Sequence, residues 1–510
     1  MADLDRGLAL RLAKGAGTTF IGKVFGSTFG FGSQLLLARL LGSRLFGLYA
    51  LGYALFEFAE LFAGLGLTAG AVRFASIHFG SRDYGRLKGV LQSSVGLPLL
   101  AGSVVAVALF FAADPLANGV FGKPDLCLVL RLFAFALPFS VAVRVAAAAT
   151  TGFQTTKYFV FTQDILLQGA NFGLIALMVG LGAGLPGAVI ARGVASLIGA
   201  IVAVRLLALL YSRFVKDRVR PLFETKRLLS YSAPLVFGEL AWLVLLWTDV
   251  LMVGAFLPAE ELGGYRAASK TASILLLFLA SINTIFAPII ADLHQRGDAR
   301  RLAGVFRVAT RWSFAATLPF FIVLLLLDEQ LLLVFGPEFT IGTLSLGILA
   351  TAQLLKSGSG GVDYLLMMSG HQYAKLIGDG LFAGVNVALN FLLIPRLGIA
   401  GAAWATAVSV VGLNLLRLLQ VRALLGVQPY ERAFLKPALA GIAAALAGLL
   451  SLQVVGSLHF LAQIGMTAPV VVLTYGTVLW TLGFEKADSL ILERVMARLG
   501  VGDRGRGGDG

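Results

Sequence analysis

Charged residues are scarce in this 510-residue chain. Asp, Glu, Lys and Arg make up 13% of it, whereas about one quarter is usual in globular proteins. Hydrophobic residues account for 58% and the mean hydropathy is +0.87. This composition excludes an ordinary soluble domain and indicates a protein of the membrane.

Cysteine and histidine are also rare. The single cysteine, Cys127, excludes an intramolecular disulfide and a cysteine-rich metal cluster. The four histidines show no metalloprotease spacing such as H-E-x-x-H. We therefore predict a protein that is not an enzyme, with no catalytic residue, no metal and no cofactor.

Long apolar runs, in contrast, recur along the whole chain. A bilayer core of about 30 Å requires ~20 apolar helical residues, because lipid offers backbone amides no hydrogen-bond partner. The alternating pattern of a membrane β-barrel is missing. We predict an all-α polytopic membrane protein with fourteen transmembrane helices, at 16–38, 44–67, 89–112, 126–148, 161–181, 186–208, 231–255, 263–289, 307–327, 341–367, 376–395, 399–420, 436–455 and 463–484.

The basic residues lie mostly on one side of these helices. Thirty of the 41 Lys and Arg fall in the two tails and in the loops that follow even-numbered helices, counted with their flanking helical turns, and four fall in the opposite loops. Cytoplasmic loops carry such an excess. We predict a multi-pass protein of the inner or plasma membrane with both termini in the cytoplasm. The net charge of +14 then reflects topology, and no nucleic-acid partner is expected.

A charged phrase occurs twice, about 215 residues apart. HFGSRDYGRLKGV (78–90) and HQRGDARRLAGV (294–305) share a histidine and then D-x-x-R-L-x-G-V. Five further matches follow in order at nearly constant offset, and 215 residues accommodate six helices. An even number of helices gives both copies the same orientation, as in parallel-repeat transporters. We predict two pseudo-symmetric six-helix lobes plus two C-terminal helices: 1–212, helices 1–6; 213–230, a cytoplasmic linker; 231–425, helices 7–12; 426–485, helices 13 and 14; 486–510, a cytoplasmic tail.

Ionisable residues inside the spans are the candidates for function. A charge at a helix centre costs about 2.5–3.5 kcal/mol on insertion scales, so it faces a partner or a wet cavity. Depth counting at 1.5 Å per residue predicts a pair of Lys23 with Glu57 or Glu60, and a pair of Asp249 with Lys270. Simple structural ion pairs remain an equal alternative to a substrate-anion site gated by carboxylates.

Helix 1 also carries Gly22-x-x-x-Gly26-x-x-x-Gly30. Glycine at this spacing allows close helix packing. We predict that another helix approaches this strip, with a moving lateral gate as the alternative.

Three segments resemble a known family: LLARLLGSRLFGLYALGYAL (35–54), AVRFASIHFGSRDYGRL (71–87) and LLIPRLGIAGAAWATAVS (392–409). With the fourteen-helix count, they are similar to polysaccharide flippases of the multidrug/oligosaccharidyl-lipid/polysaccharide exporter superfamily. The resemblance implies two six-helix lobes that work by alternating access. It also implies a cargo, a polyprenyl-pyrophosphate-linked oligosaccharide moved from the cytoplasmic to the outer leaflet, with H⁺ or Na⁺ as candidate coupling ions. Membrane lipid, and a glycan polymerase or glycosyltransferases, would be its partners.

The same resemblance suggests where the cargo binds. Related lipid II flippases line their cavity with arginines on helices 1, 2 and 8. Here helix 1 offers Lys23 and helix 8 offers Arg266 and Lys270, whereas helix 2 offers acids, which argues against lipid II itself. The predicted substrate-binding residues are Lys23, Arg266, Lys270, Arg131 and Arg192. The predicted gating or ion-coupling residues are Glu57, Glu60 and Asp249.

Three alternatives stay open at this point. A drug/cation antiporter of the same superfamily usually has twelve helices, and Glu57 could serve as its coupling carboxylate. A fourteen-helix major facilitator carries a loop signature that GSRDYGRLK approaches but does not match. A membrane scaffold or synthase subunit would leave the deep cations of both lobes unexplained.

Overall fold

The computed structural model describes residues 2–215 and 219–483, and these ranges are helical with no β-strand. The predicted all-α class is therefore confirmed for the described part of the chain. The α-helices are α1 Ala2–Gly64, α2 Leu67–Gly80, α3 Tyr84–Asp114, α4 Asp125–Thr150, α5 Lys157–Val160, α6 Leu167–Gly180, α7 Gly184–Phe214, α8 Thr225–Phe256, α9 Ala259–Ala272, α10 Leu276–Gln295, α11 Ala299–Leu326, α12 Asp328–Leu333, α13 Thr343–Ser359, α14 Val362–Met368, α15 Gln372–Leu397, α16 Ile399–Leu425, α17 Leu435–Val455 and α18 Phe460–Thr481.

Single residues break the long helices. Gly42 interrupts α1 with φ 74° and ψ 171°, a backbone conformation that glycine adopts without steric cost. Leu65 and Gly66, both at positive φ, separate α1 from α2. The break at Gly42 falls in residues 39–43, the predicted loop between helices 1 and 2, where Arg39 and Ser43 interrupt the apolar run.

The described residues contain twelve helical stretches long and apolar enough to cross a membrane, or thirteen if the bent α8 counts as one span. The two parts of α8, Thr225–Leu240 and Trp242–Phe256, meet at 44°. The first stretch, Gly22–Gly80, has 59 residues and contains the break at Gly42. Each of the fourteen predicted helices overlaps one of these stretches or α8.

The chain divides into two compact units. The first unit comprises residues 1–267 and the second unit residues 268–510. In the first unit, α4 packs against α1, α3 and α7. Four consecutive alanines near the end of α4, 146–149, are almost fully buried. Small side chains let neighbouring helices approach closely at this point.

In the second unit, α11 is the helix on which the C-terminal pair assembles. Leu318 and Ile322 of α11 form a buried apolar cluster with Ala440 and Ala444 of α17 and Tyr475 of α18. A Cβ at Gly441 would lie 2.7 Å from the Leu318 side chain. The two helices outside the predicted repeat, α17 and α18, are therefore closely packed on α11 within the second unit.

The two copies of the repeated phrase fold alike. Asp83 is the N-cap of α3 and accepts a hydrogen bond from the Arg86 backbone N–H at 3.1 Å. Asp298 is the N-cap of α11 and accepts the equivalent bond from Arg301 at 3.1 Å. The spacing of three between Asp and Arg is thus the spacing of an N-cap, which satisfies an otherwise unpaired helix amide.

The first copy of the phrase also binds the segment that leads into α8. The Leu222 N–H donates to the Gly85 carbonyl at 2.9 Å, and Lys88 Nζ donates to the Val219 carbonyl at 2.9 Å. Glu224 lies 3.2 Å from the buried His78 Nε2 and 3.3 Å from Arg86 Nε. Residues 219–224 are therefore fixed on the N-terminal turns of α3.

Gly89 is the closest point of this contact. A Cβ there would lie 2.0 Å from the Leu222 carbonyl oxygen, so we expect Gly89→Ala to displace residues 219–224 from α3. The measurement is chymotrypsin cleavage after Phe223 in purified protein, which we expect to be at least fivefold faster in the variant. Gly96→Ala is the matched control, because a Cβ at Gly96 on the same helix meets open space. Equal cleavage rates in the two variants would contradict this prediction.

Candidate functional site

Four polar side chains lie along one face of α1 after Gly42. Tyr49, Tyr53, Glu57 and Glu60 recur at a spacing of three or four residues, which aligns them on a helix. The Tyr49 and Tyr53 rings stack at 6.1 Å between centroids. This face carries two of the three acids that are predicted to gate the site, Glu57 and Glu60.

Glu60 is buried, with 5% of its surface exposed. Arg144 Nη1 of α4 lies 3.6 Å from Glu60 Oε1, and the Ser140 hydroxyl, one turn earlier on α4, hydrogen-bonds the same carboxylate. Glu57 and Arg192 are close enough to act on Glu60 electrostatically. A carboxylate in this position is held by two arginines from two helices.

Arg192 comes from the middle of α7 and is 7% exposed. Its Cζ lies 5.6 Å from the centroid of the Tyr53 ring, a cation–π distance. Its Nε is buried and has no hydrogen-bond partner among the described residues. This guanidinium therefore keeps one donor available in an otherwise enclosed position.

Arg266 of α9 approaches the same tyrosine from another direction. Its Cζ lies 4.5 Å from the Trp247 ring centroid, and that ring meets Tyr53 edge-on at 5.7 Å. Two adjacent rings, Tyr53 and Trp247, thus lie between the two cations Arg192 and Arg266. We refer to the following residues as the arginine cluster: Tyr53, Glu57, Glu60, Arg144, Arg192, Trp247 and Arg266.

The position of Arg266 depends on close packing of α9 against α1. A Cβ at Gly47 would lie 2.0 Å from the Ala259 carbonyl oxygen, and a Cβ at Gly263 would lie 2.1 Å from the Ser43 carbonyl oxygen. Tyr265, next to Arg266, donates a hydrogen bond to Asp249 Oδ2 at 2.9 Å. Two glycines and one hydrogen bond therefore place α9 beside the cluster.

Lys123 strengthens the same arrangement from the loop before α4. Its Nζ donates to the carbonyls of Gly254 and Leu257, the latter at 2.9 Å. These carbonyls end α8, where a cation is favourable because the helix dipole is negative. The α8–α9 connection is thereby bound to the rest of the first unit.

The structure brings some of the predicted site residues together but not all of them. Arg192, Arg266, Glu57 and Glu60 lie together in the arginine cluster, as described above. Arg131 is exposed, with its Cζ 5.1 Å from the Phe110 ring centroid, away from the cluster residues. Lys270 lies three residues beyond the end of the first unit, so its predicted pair with Asp249 stays a prediction.

The predicted pair of Lys23 with Glu57 or Glu60 is wrong. The described ion pair of Glu60 is with Arg144, and Lys23 instead interacts electrostatically with Asp164. The reason is the glycine strip: Cβ atoms at Gly22 and Gly26 would come within 1.9 Å of Val160 and 3.0 Å of the Asp164 carbonyl. The strip therefore packs against residues 157–166, as its spacing predicts, although Gly30 meets open space.

Four residues of the cluster and its surroundings are absent from the predicted site: Arg144, Ser140, Tyr53 and Trp247. The helical spacing of Tyr53 with Glu57 and Glu60 was a usable signal. No signal in the sequence marks the partners on α4 and α8, because the sequence does not give the rotation of one helix relative to another.

The arginine cluster is suited to binding an oxyanion. Guanidinium groups present planar donor pairs that match carboxylate and phosphate oxygens. Glu57, Glu60 and Glu239 all act electrostatically on Arg144. An incoming anion would therefore compete with carboxylates for the arginines. Among the described residues, no three His, Cys, Asp or Glu side chains are grouped as metal ligands.

Comparison with known sequences gives consistent matches. Residues 12–294 match the family model described as polysaccharide biosynthesis protein. The chain is 25% identical over 409 residues to the probable low-salt glycan biosynthesis flippase Agl15 of Haloferax volcanii, covering 78% of this chain and 81% of that protein. It is 24% identical to the succinoglycan biosynthesis transport protein ExoT of Rhizobium meliloti, covering 64% and 63%.

Solved structures show the same fold. The lipid II flippase MurJ in an inward closed conformation matches with a TM-score of 0.69 and 13% identity, covering 91% of this chain and 99% of that one. An inward-facing multidrug resistance transporter of the MATE family matches with a TM-score of 0.61 and 14% identity, covering 79% and 94%.

Proposed function

Because this chain belongs to the polysaccharide biosynthesis protein family, we propose that it is a secondary transporter for lipid-linked oligosaccharide. It flips a polyprenyl-pyrophosphate-linked glycan from the cytoplasmic to the outer leaflet by alternating access. The flippase and transport names of the curated relatives support this function.

The observation that carries the proposal is the convergence of Arg144, Arg192 and Arg266 around one tyrosine inside the first unit. A pyrophosphate carries at least two negative charges, and in a low-dielectric site several guanidinium donors bind such a group strongly. The Tyr53 and Trp247 rings keep the arginines separated and oriented for this purpose.

Glu57 and Glu60 set the balance between holding and releasing the cargo. In the empty site the carboxylates neutralise the arginines, and pyrophosphate takes their place on binding. A displaced carboxylate in a poorly solvated site takes up a proton, because burial disfavours its charged form. We therefore propose H⁺, rather than Na⁺, as the coupled ion.

The proposed membrane arrangement has fourteen spans. The 59-residue first stretch is long enough for two crossings, since at 1.5 Å per residue it extends ~88 Å against a core of about 30 Å. The break at Gly42 separates them. With α8 as one bent span, the total is fourteen, both termini are cytoplasmic, and the lobes follow the repeat boundaries 1–212 and 231–425.

A drug/cation exporter is the second candidate, and the MATE-like fold supports it. The charges of the cluster distinguish the two functions. Three arginines repel a cationic drug and attract an anionic lipid. Enzymes that build the glycan, glycosyltransferases and a polymerase, are the proposed partners of the chain in the membrane.

The test is transport by purified protein in proteoliposomes. A polyprenyl-pyrophosphate glycan is placed in one leaflet, and its arrival in the other is followed by lectin binding. We expect Glu60→Gln to bind cargo about tenfold more tightly, equivalent to ~1.4 kcal/mol, and to turn over more slowly. We expect the KM of the wild type to fall at low pH, where protonated carboxylates no longer compete with the cargo. The KM of Glu60→Gln should depend less on pH.

The matched control is Glu338→Gln, an exposed glutamate in the second unit. It should leave both kinetic constants unchanged. Absence of glycolipid transport by the wild type, with export of a cationic dye instead, would favour the second candidate. Identical kinetics of Glu60→Gln and wild type would exclude the competition between carboxylate and cargo.

A further inference from the structure

A second group of charges lies inside the second unit, distant in sequence from the arginine cluster. It is formed by α13, α14, α15 and α16, of which α13 and α16 pack directly against each other. The group contains three cations and two carboxylates: Lys356, Lys375, Arg417, Asp363 and Asp379.

One carboxylate of this group is fully engaged. Asp379 Oδ2 lies 2.6 Å from Lys375 Nζ, and Asp379 Oδ1 lies 2.5 Å from Arg417 Nη2. The Asp379 side chain is 13% exposed. Two cations thus share one carboxylate, and this half of the group carries an excess of positive charge.

The other half contains donors without acceptors. Lys356 has no hydrogen bond and no ion pair within 4 Å among the described residues, although Asp363 and Asp379 attract it from further away and Arg417 repels it. Arg417 is 7% exposed, and its Nε has no hydrogen-bond partner in the described part of the chain. A cation in a membrane span normally faces a partner.

Two amides belong to the same surroundings. Gln353, three residues before Lys356, and Gln420, three residues after Arg417, each have a buried Oε1 without a partner among the described residues. Buried polar atoms are normally satisfied by protein or by a bound molecule. The amide oxygens suit water, whereas the ammonium and the guanidinium N–H suit an anion.

We propose that the second unit contains a binding site for one monovalent anion, held between Lys356 Nζ and Arg417 Nε. The group has three positive and two negative side chains, so one bound monovalent anion makes its total charge zero. The anion also supplies an acceptor for both unpartnered donors, and Lys356 is half-buried. The ligand is either a free halide or a carboxylate on the transported glycan. Binding of a free halide does not depend on the proposed transport function, whereas binding of a glycan carboxylate rests on it.

The experiment uses the purified full chain. Equilibrium dialysis with radioactive chloride, and separately with acetate, measures binding at constant ionic strength maintained with the bulky sulfonate HEPES, which is neither a halide nor a carboxylate. We expect saturable binding of one anion per chain, lost at least tenfold in Lys356→Met and largely restored in Lys356→Arg. Arg396→Gln, an exposed cation of α15, should bind like the wild type.

The two sources give different results. Chloride binding identifies a free ion. Acetate binding without chloride binding identifies a cargo carboxylate, and Lys356→Met should then slow transport of uronate-containing glycolipids but not of neutral ones. No saturable binding of either anion to the wild type, or equal binding by Lys356→Met, would overturn the proposal. Because dialysis requires no transport, this result is separate from failure of the proposed function.

Discussion

Replacing Arg192 by alanine is expected to reduce glycolipid flipping at least 100-fold. Arg192 is the most enclosed of the three clustered arginines, and it keeps an unpartnered Nε. Hydrogen bonds to charged groups contribute about 1.5–3 kcal/mol each, and a 100-fold loss corresponds to ~2.7 kcal/mol. Removing two such bonds to pyrophosphate is sufficient for the expected effect.

The matched control is Arg131→Ala. Arg131 is also an arginine within a span, and the sequence assigns it to the same site, but it is exposed beside Phe110. We expect this variant to flip glycolipid at the wild-type rate. The measurement is lectin-detected flipping in proteoliposomes that contain equal amounts of each protein.

Arg192→Lys separates binding from folding. Lysine preserves the positive charge beside Tyr53 and Glu60 but lacks the planar donor pair of a guanidinium. We expect a monodisperse, stable protein whose KM for cargo is raised. Wild-type flipping by Arg192→Ala, or equal losses in Arg192→Ala and Arg131→Ala, would exclude the arginine cluster as the pyrophosphate site.

Gly47→Ala is expected to be strongly damaging. The added Cβ would lie 2.0 Å from the Ala259 carbonyl oxygen and 2.9 Å from the Gly263 amide nitrogen. Both are backbone atoms, which cannot rotate away. Inserting a methyl into such a contact costs about 1–3 kcal/mol, and it displaces the helix that carries Arg266.

Stability and transport should therefore fall together. We expect a lower thermal midpoint in detergent and at least a tenfold loss of flipping. The control is Gly64→Ala on the same helix, where a Cβ meets nothing within 4 Å. An unchanged midpoint for Gly47→Ala would contradict the close packing of α1 and α9.

Hydrophobic length predicts where most helices lie, because lipid imposes the same requirement on every span. It also places a loop at residues 39–43, where the structure breaks α1 at Gly42, although it does not give the dihedral angles of that break. Counting residues along a helix gives the depth of a charge but not the direction it faces. Lys23 and Glu60 were paired by depth alone, and the structure gives them different neighbours, Asp164 and Arg144.

Arg131 and Arg192 illustrate the same limit. Both arginines are flanked by apolar residues on either side, and nothing in their local sequence separates them. Only packing distinguishes the exposed one from the one that is 7% exposed. Short motifs carry more local information: in both copies of the repeated phrase the Asp is a helix N-cap, a role that depends only on adjacent residues.

The boundary of the first unit at residue 267 has a consequence for biosynthesis. The predicted first repeat ends at residue 212, yet Gly47, Gly66 and Gly70 pack against residues 232–263. A nascent chain that has inserted only the first six helices therefore still lacks the surfaces that fill these positions. The first unit is complete only when the ribosome has released about 55 further residues, the predicted linker and the start of the following repeat.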